Sequence, residues 1–156
     1  MLPALNTLAE QQSSPTKNTE SAITHFLDYV STNPSVVIQY KSSDMILHIY
    51  SYSSYLSEPQ ARSRTGRKYY LSSIATNLEK VPNLLPPANG PIQTECIILK
   101  YVVVSATEAE VRGLFHNGQK SVPLCITLQG IGYTQQPTPI KTDNSEAKGL
   151  VASTVR

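Results

Sequence analysis

Apolar residues first fall into a regular pattern at Ile23, Phe26, Leu27 and Val30. That spacing is one stripe of an amphipathic helix. It predicts a helix from Thr19 that ends at Asn33-Pro34, because the residue before a proline is pushed out of helical conformation. Residues 1–18 are short and polar and show no such period. Downstream the apolar residues are β-branched or alternate. Ser35–Tyr40 (SVVIQY) predicts a first strand. A turn at KSSD leads to a second, Met45–Tyr52, apolar on both faces at its start and therefore expected to be central. Residues 53–66 (SSYLSEPQARSRTG) carry Pro59 and Gly66 and predict a loop. Arg67–Ile74 predicts a third strand and Thr94–Val104 (TECIILKYVVV) a fourth. The four prolines of residues 77–91 exclude regular structure between them.

The last third of the chain has a helical period. Ser105 and Glu108 fit the S-x-x-E capping box. They predict a helix over about Ala106–Asn117, with Gly118 just past its end. Pro123 suits the first turn of a second helix, whose buried side carries Leu124, Leu128 and Ile131. IKTD predicts a short strand ending at Asp143, and Asn144 or Ser145 caps a final helix through Ala147, Leu150, Val151 and Thr154. Helix, four strands, helices, strand, helix is the order of an α/β fold (α+β by stricter naming), a mixed sheet with helices packed on it.

Composition narrows the picture. The length of 156 residues fits one domain, and 40% apolar residues suffice for a modest core. A net charge of +2 does not by itself imply a nucleic-acid partner. Cys96 and Cys125 are far apart and in no CxxC pair, so they are expected to be reduced thiols with no disulfide partner. The N-terminus lacks the basic start and long apolar core of a signal peptide. The near-apolar run Cys96–Val104 is broken by Lys100 and is too short for a bilayer. The expected location is cytoplasmic or nuclear, with no membrane partner. There is no GxGxxG or GxxxxGK[ST] nucleotide motif, and His25, His48 and His116 do not cluster along the sequence.

Two acidic residues fall at element ends. Glu110 lies one turn into the helix after the fourth strand, and Asp143 ends the short strand. Carboxylates that converge at a sheet edge bind hard cations such as Mg²⁺, and a pair of ions clamps the attacking and leaving oxygens of a phosphodiester. On spacing alone, a solvated helix glutamate and a turn aspartate are the plainer reading. Arg62, Arg64, Arg67 and Lys68 form a basic cluster, either a solvated turn or a contact for nucleic-acid phosphates. Tyr50, Tyr52, Tyr55, Tyr69 and Tyr70 are sheet packing or a stacking surface for bases.

Four stretches weigh on this choice: SSPTKNTESAITHFLDYVSTNP, SDMILHIYSYSSYLSEPQARSRTG, SATEAEVRGLF and PTPIKTDNSEAKGLV. Together, and in this order, they resemble the reverse transcriptase–RNase H segment of copia-type retrotransposon polyproteins over nearly the whole chain. The resemblance implies an RNase H-like fold, a five-stranded mixed sheet with strands 1–3 antiparallel. It also implies an ancestral activity: two-Mg²⁺ cleavage of RNA in an RNA–DNA hybrid. The glutamate of the family's TEAE helix falls on Glu110 and the aspartate of TDNS on Asp143. The family pattern HSDASYLSEP reads YSYSSYLSEP here, so Tyr52 stands where the first aspartate is expected. A neutral phenol is a poor Mg²⁺ ligand. The resemblance thus implies residues 1–34 as an N-terminal segment and connection helix. It makes residues 35–156 an RNase H-like domain, truncated before a fourth acidic residue, with a degenerate active site and no expected catalysis. The alternatives are a nucleic-acid-binding module without chemistry, working through the basic cluster, and a non-functional pseudogene product.

Overall fold

The computed structural model describes residues 2–73 and 89–153. The chain divides into two compact units, Met1–Ile38 and Gln39–Arg156.

The first unit holds α1 (Leu2–Glu10) and α2 (Lys17–Thr32). The α1 helix lies in the stretch expected to be merely polar. Its Asn6 and Glu10, one turn apart, are hydrogen-bonded side chain to side chain at 3.1 Å. Thr16 caps α2: its hydroxyl accepts from Thr19 N at 3.3 Å, and the Thr19 hydroxyl accepts from Thr16 N at 3.0 Å. As expected, α2 ends before Asn33-Pro34. The apolar residues Ile23, Leu27 and Val30 are exposed.

The second unit is a four-stranded mixed sheet with helices, in the order β3-β2-β1-β4. The strands are β1 (Ile46–Glu58), β2 (Arg62–Ser72), β3 (Pro91–Ile98) and β4 (Ile140–Lys141). The first three are antiparallel neighbours, and β4 runs parallel to β1, pairing Ile49 with Ile140 and Tyr50 with Lys141. The helices are α3 (Ala106–Gly130) and α4 (Ser145–Ser153).

The expected first strand, Ser35–Tyr40, is not a strand, which leaves four of the five expected. Val36, Val37 and Ile38 are exposed and pair with nothing among the described residues. β-propensity measures fit to a partner surface, and these residues have none. The expected loop over residues 53–66 is also corrected. β1 continues to Glu58, and the chain reverses in a single 3-10 turn at Pro59–Ala61. Gln60 and Ala61 take positive φ there, of 60° and 52°. A bulge around Leu56, itself at φ 50°, absorbs the extra residues of β1, and its freed N–H donates to the Ser63 hydroxyl at 3.0 Å. Gly66 is therefore a strand residue. β3 stops at Ile98, short of the expected Val104. The proline-rich stretch lies mostly in residues 74–88, outside the described residues.

The two helices expected over Ala106–Asn117 and after Pro123 are one helix, α3. Its start is as expected: Ser105 Oγ accepts from Glu108 N at 3.0 Å. Gly118 does not end it. A Cβ there would only touch Ile140 Cδ1 at 3.4 Å, so the glycine sits where α3 passes β4. Pro123 lies inside the helix, a position that costs about 3 kcal/mol in isolation. Packing offsets it: Leu128, with Leu124 and Cys125 beside it, covers the buried Leu47, Ile49 and Tyr69. The turn ends instead at Gly132, where φ is 97° and glycine is suited. Ile131, expected on the buried side, is exposed. Asn144 caps α4 as expected, its Oδ1 accepting from Ala147 N at 2.8 Å.

Candidate functional site

Side chains alternate across a strand, so odd and even residues of β1 face opposite ways. Leu47, Ile49, Ser51 and Ser53 face α3. The Asn117 amide of α3 donates to Ser51 Oγ at 2.7 Å, and a Cβ on Gly113 would overlap Ser53 Oγ. Gly113 thus lets the helix backbone approach β1 and β2 closely, which brings Glu110, one turn earlier, to the sheet edge.

Glu110 is buried, at 5% exposure. Its Oε1 accepts from Ser53 N at 2.7 Å and its Oε2 from the Thr142 hydroxyl at 3.3 Å. The carboxylate therefore ties α3 to β1 and to the end of β4. Burial raises its pKa; the Ser53 N–H pulls it down, the charge of neighbouring Asp143 pushes it up again, and the Thr142 hydroxyl opposes. Asp143 itself is exposed. The structure brings these two expected acidic residues together.

It does not bring Tyr52 to them, which corrects the expected alignment of β1 that put Tyr52 in the first aspartate's place at the site. The Tyr52 ring lies on the other face of the sheet, across Gly66, where a Cβ would overlap it. Its surroundings there are Cys96 and Arg64, and burial, followed by Cys96, raises its pKa. The β1 residue that meets Glu110 is Ser53. Glu110 and Asp143 are the residues that could hold a cation. Two carboxylates suit a single hydrated Mg²⁺ and fall short of the bridging set a two-ion clamp needs. Among the described residues no group of three or more His, Cys, Asp or Glu is placed to hold a metal ion.

The basic cluster is split. Arg62 is exposed, and Lys68 is half-buried with its ammonium 6.0 Å from the Tyr70 ring centre. Arg64 and Arg67 are buried. Arg64 Nε donates to Glu58 Oε1 at 2.6 Å, which raises its pKa. On the α3 face, Arg67 is ion-paired with Glu95 and donates to Asn117 Oδ1 at 3.0 Å. His116 Nδ1 lies 3.1 Å from the same guanidinium nitrogen. Asn117 completes this layer: its side-chain amide also donates to Gly66 O at 3.2 Å, and its backbone carbonyl accepts from the Tyr69 hydroxyl at 2.9 Å. These arginines are fold elements in this arrangement.

Ser53, Thr142 and Asn117 were not singled out from the sequence. Ser53 and Thr142 adjoin positions that were, so their strand parity was the available signal. Asn117 carries none beyond being a polar residue on a helix.

Compared with known proteins, the chain matches no family model, no curated protein and no solved structure. Among the described residues no helix is long and apolar enough to cross a membrane.

Proposed function

We propose that this chain derives from the RNase H-like region of a copia-type retrotransposon polyprotein and no longer cleaves RNA–DNA hybrid. The observation that carries the reading is that Thr142, next to Asp143 at the end of β4, donates to Glu110, so that Glu110 and Asp143 stand near one another. These are the two acidic residues of the TEAE and TDNS stretches, and they come from separate elements. The sheet agrees in kind: three antiparallel strands, the next strand parallel to the first, and a helix between β3 and β4. The inactive part of the proposal rests on β1, which meets Glu110 with the backbone N–H of Ser53 and brings no carboxylate there, while Tyr52 lies on the other face.

The test is cleavage of a labelled RNA–DNA hybrid in Mg²⁺ by the intact chain, with a Glu110→Gln variant alongside. No metal-dependent cleavage is expected from either. Cleavage by the unaltered chain that Glu110→Gln abolishes would overturn the inactive reading. Cleavage that survives in the variant comes from elsewhere and does not support an active site here.

A further inference from the structure

The sheet face turned away from α3 carries a set of side chains that take no part in the Glu110 site. Strand pairing places His48, Tyr50 and Tyr52 of β1 there, with Lys68 and Tyr70 of β2 opposite and Lys141 of β4 beside Tyr50. The rings form two pairs. His48 stacks on Tyr70 at 5.5 Å between centroids and 22° between planes. Tyr50 and Tyr52 lie 6.4 Å apart, tilted by 44°. An ammonium group flanks each side: Lys68 by the Tyr70 ring, and Lys141 at 5.4 Å from the Tyr50 ring centre. Tyr50, Tyr52, Tyr70 and both lysines are half-buried. Neither lysine is ion-paired among the described residues, and Glu58 is already held by Arg64. His48 is buried to 5% exposure, yet its Nε2 has no hydrogen-bond partner among the described residues.

Each feature points to one class of partner. Tyrosine rings on a sheet face can stack with a base, and the ammonium groups that lie over Tyr70 and Tyr50 can turn to the phosphates between bases. A buried imidazole nitrogen without a partner among the described residues is a polar group that a bound base could satisfy. A duplex keeps its bases stacked inside, so only unpaired bases reach such rings. We propose that this face binds single-stranded nucleic acid, with bases on Tyr50 and Tyr70 and phosphates at Lys68 and Lys141. The inference uses neither Glu110 nor Asp143, so it stands or falls apart from the retroelement reading.

The test is fluorescence anisotropy of the full chain with a labelled oligothymidylate of about 12 nucleotides, a length within the usual single-strand site range. The titration is repeated across a salt series. Lys68→Ala/Lys141→Ala should weaken binding at least about tenfold and lower the log–log salt slope by about 1.4, the loss of two single-strand phosphate contacts. Lys120→Ala, on the exposed side of α3, should change neither. Tyr50→Leu should weaken binding, and Tyr50→Phe, which keeps the ring, should preserve it. If Tyr50→Leu fails to fold by circular dichroism, the lysine pair and the Phe variant still decide the matter. The proposal is overturned if no binding appears at low salt, or if the lysine pair is silent. It is equally overturned if Lys120→Ala costs as much as the pair, or if inorganic polyphosphate of equal charge competes as well as the oligonucleotide.

Discussion

The backbone N–H of Ser53 donates to Glu110 Oε1 at 2.7 Å, while the Tyr52 ring one residue earlier lies on the opposite face of the sheet. A single step along β1 thus separates the residue that touches the acidic site from the one that does not. Glu110 acts on the strand through its backbone. The contact fixes where α3 lies along β1, and Thr142 extends it to β4.

This lock has a pH signature. Burial raises the Glu110 pKa above its ordinary value. A carboxyl whose folded pKa is raised favours folding fully below its unfolded pKa. The contribution is lost as pH rises through the folded value. Glu110→Gln removes the titration and faces an amide N–H toward one of two donors, a loss of about 1–3 kcal/mol for an unsatisfied buried donor. Urea denaturation across the mildly acidic range should show the unaltered chain's advantage over the variant shrinking as pH rises. A constant difference at all pH values would mean that Glu110 titrates alike in the folded and unfolded chain.

Close approach of α3 at Gly113 gives a second expectation. An added Cβ would overlap Ser53 Oγ and stand 2.7 Å from Thr65 Oγ1. Gly113→Ala should therefore destabilise by about 1–3 kcal/mol, the usual cost of overpacking. Gly149→Ala, in α4 with nothing within 4 Å, should stabilise by about 0.5–1 kcal/mol through helix propensity. Thermal melts of the two variants should shift in opposite directions, and a stabilised Gly113→Ala would show that α3 stands further from the sheet.

Asn117 is fully buried, and its side chain serves Ser51, Gly66 and Arg67 at once. Asn117→Leu leaves the Arg67 guanidinium with one fewer acceptor and Gly66 O without its amide donor. Arg67 keeps its Glu95 pair, so the expected loss is about 1.5–3 kcal/mol, the range for a hydrogen bond to a charged group. Denaturant midpoints check this. A loss below about 1 kcal/mol would match a lone neutral hydrogen bond instead.

Local signals in the sequence read well where chemistry is local, and poorly where partners are distant. The Ser105–Glu108 pair marks the start of α3 because capping is settled within one turn. Its end was misplaced because Gly118 and Pro123 are local breakers overruled by Leu128 packing on Leu47, Ile49 and Tyr69. Ser35–Tyr40 failed for the converse reason, strand-like residues with no partner strand. Glu110 and Asp143 were legible as acids at element ends. The destination of Arg64 and Arg67 was not, since a run of basic residues does not reveal that Glu58 and Glu95 meet two of them inside the fold.

Tyr52 supplies the sharpest expectation. If this residue alone blocked a metal site, Tyr52→Asp would restore a carboxylate beside Glu110. In this register it would not. The new carboxylate would lie on the Cys96 side of the sheet, near Arg64, with the strand between it and Glu110. Bringing it across requires β1 to slip by one residue, and a slip of one turns every side chain over. Leu47 and Ile49 would then leave the core they form with Tyr69 and Leu128. Burying such a side chain is worth about 1.5–3 kcal/mol each, so the slip is opposed by several kcal/mol. Tyr52→Asp should accordingly gain no Mg²⁺-dependent hybrid cleavage, and its melting temperature should not rise with Mg²⁺ more than that of the unaltered chain. A Mg²⁺-dependent rise that Asp143→Asn abolishes would place the new aspartate at the acidic site, and would show that β1 can pair in the shifted register.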